Sequence, residues 1–120
     1  MQVGPNRIIF VSVKVIDVSK ERDFSPEKMK KVSLFDTERL FCDIYCLEPG
    51  QEQKPHRHED SDKVYLVLEG KGRFRIGSDE EELSQNMAVL APAGVEHGVV
   101  NNSKERLAVL VFVAPKPKGG

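Results

Sequence analysis

"PGQEQKPHRHEDSDKVYLVLEG", Pro49 to Gly70, carries the signals from which the fold can be read. A Pro-Gly break opens it, two histidines one residue apart sit in its middle, and a nearly unbroken apolar run, Val64 to Leu68, leads to a closing glycine. An apolar run of this length, with Val and Tyr inside turn residues, reads as a buried strand. On extended chain, side chains two residues apart share a side, so His56 and His58 can aim both imidazoles at one point. Neutral imidazole is a ready ligand for zinc, iron, nickel and copper. Lys63, an ammonium close to two candidate ligands of a cation, heads the apolar run.

The same alternation continues on both sides. Arg7 to Val18, rich in β-branched residues, is predicted as a strand. Ser25 as N-cap with Pro26 in the first helical position predicts one short helix. Residues 31–35 read as a short strand and 39–48 as a longer one, stopped at Pro49-Gly50. After Gly70-Lys71-Gly72 the order is "RFRIG", a hairpin tip at "SDEE" and a returning segment. "NMAVLAPAGVEHGVV" then holds a strand, a Pro-Ala-Gly turn and another strand. "RLAVLVFVAP" is the last strand, followed by a polar tail. About nine or ten short strands with turn signals every 8–12 residues indicate an all-β sandwich or barrel. Strands apolar on both faces, such as "KVYLVLE" and "RLAVLVFV", leave an outer apolar face for a second sheet or subunit, which points to a homodimer.

Bulk properties exclude several classes. At 120 residues the chain fits one domain, 1–120, with a barrel at about 39–115 and the 7–18 strand packing on the barrel or on a dimer partner. Lys and Arg number 18 against 19 Asp and Glu, for a net charge of −1, so nothing favours nucleic acid or an anionic membrane as partner. No 18-residue apolar run or signal-peptide pattern occurs, and the expected location is the cytoplasm. Cys42 and Cys46 on one strand would have Cα atoms roughly 13 Å apart, too far for a disulfide. They are expected as reduced thiols packed like small apolar groups.

The chain holds three histidines, and the third, His97, follows the "PAGVE" turn. At this point a family pattern emerges. Gly50, His56, His58 and Gly70 match the first motif of the cupins, G-x5-H-x-H-x3,4-E-x6-G, and Pro92, Gly94, His97 and Asn101 match the second, G-x5-P-x-G-x2-H-x3-N. The chain thus resembles the cupin superfamily, in its small single-domain form, from about Arg39 to Pro115. The resemblance implies an antiparallel jelly-roll β-barrel and a divalent metal held by three histidines and a glutamate. Two positions depart from it. Asn86 stands where the second motif begins with glycine, a small change because Asn tolerates left-handed backbone. Lys63 stands where the glutamate is expected.

Three readings of Lys63 follow. In the preferred one, His56, His58 and His97 alone bind a divalent transition metal (Zn, Fe, Ni, Mn or Cu), and the site keeps the ion's full charge. In the second, Asp62 replaces the glutamate, which needs a bulge to turn it inward. In the third, there is no physiological metal, and Lys63, the histidines and Tyr65, which shares the Lys63 face, bind an organic acid or sugar. A lysine in a dry pocket can also lose its proton and act as base or nucleophile, so Lys63 and Tyr65 are the candidate catalytic residues. Arg73 and Arg75 read as an exposed strand face. The expected function is a metal-dependent reaction on a small polar metabolite, of dioxygenase, isomerase, decarboxylase or lyase type; the alternative is non-catalytic binding.

Overall fold

A computed structural model describes residues 13–118. Nine strands follow in order: β1 (Lys30–Asp36), β2 (Phe41–Leu47), β3 (Glu52–His56), β4 (Asp62–Glu69), β5 (Lys71–Ile76), β6 (Asp79–Ser84), β7 (Ala88–Ala91), β8 (His97–Val100) and β9 (Leu107–Ala114). They form two antiparallel sheets, β1-β2-β9-β4-β7 and β3-β8-β5-β6, facing each other as a jelly roll. The all-β expectation holds, and the only helical turn among the described residues is a 3-10 turn, Val18–Lys20.

Register fixes what each face carries, because residues opposite one another in an antiparallel ladder share a face. Asp43 faces Val111 and Val111 faces Tyr65; Phe41, Val113 and Lys63 form the next row, and Tyr45, Val109 and Val67 another. These rows point into the barrel. There Tyr45, Leu47, Tyr65, Val67, Val109, Val111 and Val113 meet Phe74, Leu83 and Val99 of the other sheet in one buried cluster. The alternate residues Cys42, Ile44, Cys46 and Ala108 form a second cluster on the outer face, covered by Ile16, Val18 and Phe24. Both cysteines are buried and free, as expected.

Two local expectations fail. The part of the 7–18 strand within the described residues pairs with no strand and ends in the 3-10 turn; residues 7–12 lie outside the described residues. Ile16 and Val18 satisfy its burial by packing on the outer cluster rather than by joining a sheet. The helix after Ser25 is absent as well. Ser25 Oγ does accept the Glu27 N–H at 3.2 Å, but the chain only bends before entering β1. Phe24 packs on the outer cluster and Met29 on the inner one, so the intervening residues must cross from one side of the sheet to the other. Tertiary packing here overrides a local capping signal.

Turn residues behave as their chemistry requires. Asn86 has φ 71°, the left-handed conformation that lets it stand in for glycine. Gly70 has φ 79°, and a Cβ there would lie 2.2 Å from the Arg106 carbonyl oxygen, so this turn cannot accept a side chain. No helix among the described residues is long and apolar enough to cross a membrane.

Candidate metal centre

β3 and β8 bring the first two ligand candidates together. His56 lies directly opposite His97 across the ladder, past an irregularity between Gln53 and His56. Gly98, next to His97, makes this close pairing possible: a Cβ there would sit 2.8 Å from the Gln53 carbonyl oxygen. His58 is just beyond the end of β3, not on it. Its carbonyl accepts the Gly94 N–H at 2.8 Å, which ties the first histidine segment to the turn before His97. The three rings converge, with centroids 4.4 Å (His56–His97), 4.9 Å (His56–His58) and 5.7 Å (His58–His97) apart. One nitrogen of each lies within 4.8 Å of the others.

The hydrogen bonds also set the tautomers. His97 Nδ1 is 3.0 Å from the Val95 carbonyl and His56 Nδ1 is 3.2 Å from the Lys54 carbonyl. A carbonyl only accepts, so Nδ1 carries the proton in both rings and Nε2 keeps its lone pair. His97 is 1% exposed, and its Nε2 is a buried polar atom without a hydrogen-bond partner among the described residues. Burial pushes His97 down to about 4, and His56 and His58 are also lowered, by burial first and then by cations including Lys63. The rings are therefore neutral at neutral pH, the form that binds metals. A buried lone pair with no donor, beside two further imidazole nitrogens, fits a divalent transition metal.

Lys63 is in the barrel, 1% exposed. Its Nζ donates to Tyr45 Oη at 3.0 Å and Gln53 Oε1 at 3.2 Å, and sits 5.0 and 4.9 Å from the Tyr45 and Tyr65 ring centroids. Tyr65 Oη donates to Gln53 Oε1 at 2.9 Å, and Gln53 Nε2 donates to Tyr45 Oη at 2.9 Å. Among the described residues no carboxylate makes an ion pair with it. Burial, then the nearby Lys31 charge, lowers its pKa from 10.5 to about 7. Burial also pushes the Tyr45 and Tyr65 phenols upward, so both stay neutral. The expected Lys63–Tyr65 proximity is thus present as a closed hydrogen-bonded group.

Asp62 does not take the glutamate's place. It is exposed, and its Oδ1 accepts the Ala93 N–H at 2.9 Å, outside the group of converging ligand atoms. Arg73 and Arg75 lie exposed on β5, as read from the sequence, with Arg75 paired to Glu96 at 3.6 Å. Asn101, the last residue of the second motif, is a staple rather than a ligand. It is fully buried, its Nδ2 donates to the Leu47 and Glu105 carbonyls, and its Oδ1 accepts from Ser103.

Sequence reasoning missed Tyr45, Gln53 and Asp43. The signal was present on β2, where Phe41, Asp43 and Tyr45 alternate with Cys42 and Ile44, but only the pairing with β9 shows which set faces inward. Asp43 is half-buried on that inner face. Burial raises its pKa, and the Lys31 charge partly offsets the rise. Gln53 had no sequence signal, because its role depends on β3 crossing opposite Tyr45 and Tyr65.

Comparison with known proteins agrees with this fold. A family model described as "Cupin domain" matches residues 43–113. The crystal structure of TT1209 from Thermus thermophilus is similar with TM-score 0.86 and 46% identity, covering 88% of this chain and 100% of that one. An uncharacterised protein of Aquifex aeolicus (strain VF5) is 24% identical over 108 residues, 88% of each chain. Auxin-binding protein 4 of Zea mays is 35% identical over 79 residues, which are 58% of this chain; the match spans only 38% of that protein's length. With both motifs converging on one histidine cluster inside a jelly roll, the chain belongs to the cupin domain family.

Proposed function

We propose that the protein is a metal-dependent enzyme acting on a small polar metabolite, with His56, His58 and His97 holding a divalent transition metal. The observation that carries this reading is the buried, unpartnered Nε2 of His97, with its proton held on Nδ1 and two other imidazole nitrogens within 4.8 Å. A bound metal supplies Lewis acidity toward a substrate oxygen. Three neutral ligands leave the ion's charge uncompensated, and Lys63 adds no anion, so the site selects for anionic substrates. Lys63, about half-protonated at pH 7 and held by Tyr45 and Gln53, is placed to take or return a proton, and Tyr65 donates to the same Gln53 oxygen. Free, buried thiols fit a reducing cytoplasm. The test is turnover of a panel of small hydroxy, keto and dicarboxylic acids by chelator-treated and metal-reconstituted protein. Turnover is expected only after reconstitution, and at least about 100-fold lower in His58→Ala. Metal-independent turnover that survives His58→Ala contradicts the reading and favours a metal-free binding or acid–base site.

We further infer a homodimer formed through the part of the outer face of the five-stranded sheet that the described residues leave exposed. Leu90 and Phe112, 52% and 43% exposed, flank Val64 on adjoining strands, and Val13 and Val15 stand over 80% exposed on the segment that crosses the same face. Exposed apolar surface arranged in this way marks an interface. The double variant Leu90→Glu, Phe112→Glu is expected to sediment as a monomer at concentrations where the native chain is a dimer. A native monomer, or an unchanged dimer in the variant, rules this interface out.

A further inference from the structure

The two sheets leave a seam where the edge strands β1 and β3 face each other. A cavity of about 450 Å³ opens there, lined by Lys28, Met29, Lys30, Lys31 and Gln53. Its cations differ in what they do. Lys30 is committed to Asp23 at 2.7 Å. Lys28 and Lys31 have no ion-pair partner among the described residues. Lys31 is opposite Tyr45 in the β1–β2 register, on the inward face, and its Nζ is 5.3 Å from the Tyr45 ring centroid. It therefore leans over the barrel mouth while staying exposed to solvent.

The floor of the cavity connects to the centre. Gln53 accepts from Lys63 and Tyr65 and donates to Tyr45, which uses one of its two amide hydrogens; the other has no partner among the described residues. Behind it sits Lys63, a buried amine with no carboxylate partner among the described residues. Asp43, half-buried on the inner face of β2, is the counterweight: its carboxyl feels both Lys31 and Lys63. Its single charge leaves an excess of cations around the mouth.

We propose that this seam cavity is a carboxylate-binding subsite, in which Lys31 and the free Gln53 amide hydrogen hold the carboxylate of a small organic acid, with Lys28 adding charge at the rim. This deepens the reading of the barrel as a site for small polar anions and rests on it, but not on the metal. Gln53 makes the subsite sense its occupant, since any shift of its amide is passed to Lys63, Tyr45 and Tyr65. Sugars lacking an acid group gain nothing from such a rim.

Calorimetric titration of the full chain, chelator-treated and at low ionic strength, tests it with succinate as probe, succinamide as the neutral control and inorganic phosphate as the competing anion. Succinate is expected to bind where succinamide does not. Lys31→Gln is expected to weaken it about fivefold, whereas Lys31→Arg and Lys104→Gln, the latter on a distant exposed loop, leave it within twofold. Three results overturn the proposal: succinate binding no tighter than succinamide, phosphate binding while succinate does not, or equal losses in Lys31→Gln and Lys104→Gln. Because metal is removed throughout, failure of the histidine centre to bind metal leaves this outcome unaffected, and the two failures are separable.

Discussion

Replacing Lys63 by methionine is expected to make the metal-free protein more stable, by up to about 4 kcal/mol at pH 7. The lysine is 1% exposed, and its folded pKa is held at about 7 against an ordinary 10.5, chiefly by burial and then by Lys31. Between those two values the unfolded chain binds a proton that the folded chain does not. Stability therefore rises with pH through that window, and below about pH 7 the full penalty is present. At ~1.4 kcal/mol per pKa unit the penalty is roughly 4 kcal/mol at pH 7 and shrinks to roughly 1.5 kcal/mol by pH 9.5. Methionine has a similar reach and no charge, and its removal of the amine orphans nothing: Tyr65 still donates to Gln53, and Gln53 to Tyr45. The burial-raised tyrosines act in the opposite sense, lowering stability above about pH 10 where unfolded phenols ionise, so the comparison ends below that. Urea unfolding of native and Lys63→Met protein from pH 7 to 9.5 checks the sign. A variant less stable than the native chain, or a gap that does not close with pH, would show the ammonium to be a structural ion.

The second large effect concerns His97. Saturating the native chain with a divalent transition metal at 100 times its dissociation constant is expected to stabilise it by about 2.7 kcal/mol. In His97→Ala the same addition is expected to stabilise by no more than about 0.4 kcal/mol, because affinity falls at least about 100-fold. pH dependence follows from the lowered histidines. Protons compete for the same lone pairs, and with His97 near 4 and the other two lowered from 6.5, affinity should hold at neutral pH and fall off on acidification, at a lower pH than three ordinary imidazoles would give. Fluorescence or circular-dichroism melts with and without metal read both effects. His58→Ala, at a half-buried loop position, gives the same answer should the buried alanine prove too disruptive.

The convergence of the three histidines was readable from their spacing. His56 and His58 stand one residue apart at the end of β3, and the Pro92–Gly94 turn precedes His97. Most strands were readable from alternation, and β4 and β9 from apolar runs that place apolar residues on both faces. What resisted reading depends on contacts between segments distant in sequence. Ser25 and Pro26 carry a genuine helix-start signal, yet Phe24 and Met29 are drawn to opposite sides of a sheet. Lys63 stood out as a departure from the cupin pattern, but its partners, Tyr45 and Gln53, become visible only when β2 and β3 close over it. Asp62, the nearest acid in sequence, is spent on the Ala93 amide.

Metal content is the most direct measure of the three-histidine centre. The purified full chain is stripped with chelator, reconstituted in turn with Zn, Fe, Ni, Mn and Cu, freed of unbound ion and assayed by elemental mass spectrometry, with His97→Ala and His58→Ala alongside and folding checked by circular dichroism. The expected result is one tightly held ion per native chain for at least one metal, and none in either folded variant. A folded native chain that retains none of the five, or variants that retain as much as the native chain, would contradict the assignment of His56, His58 and His97 as the metal ligands.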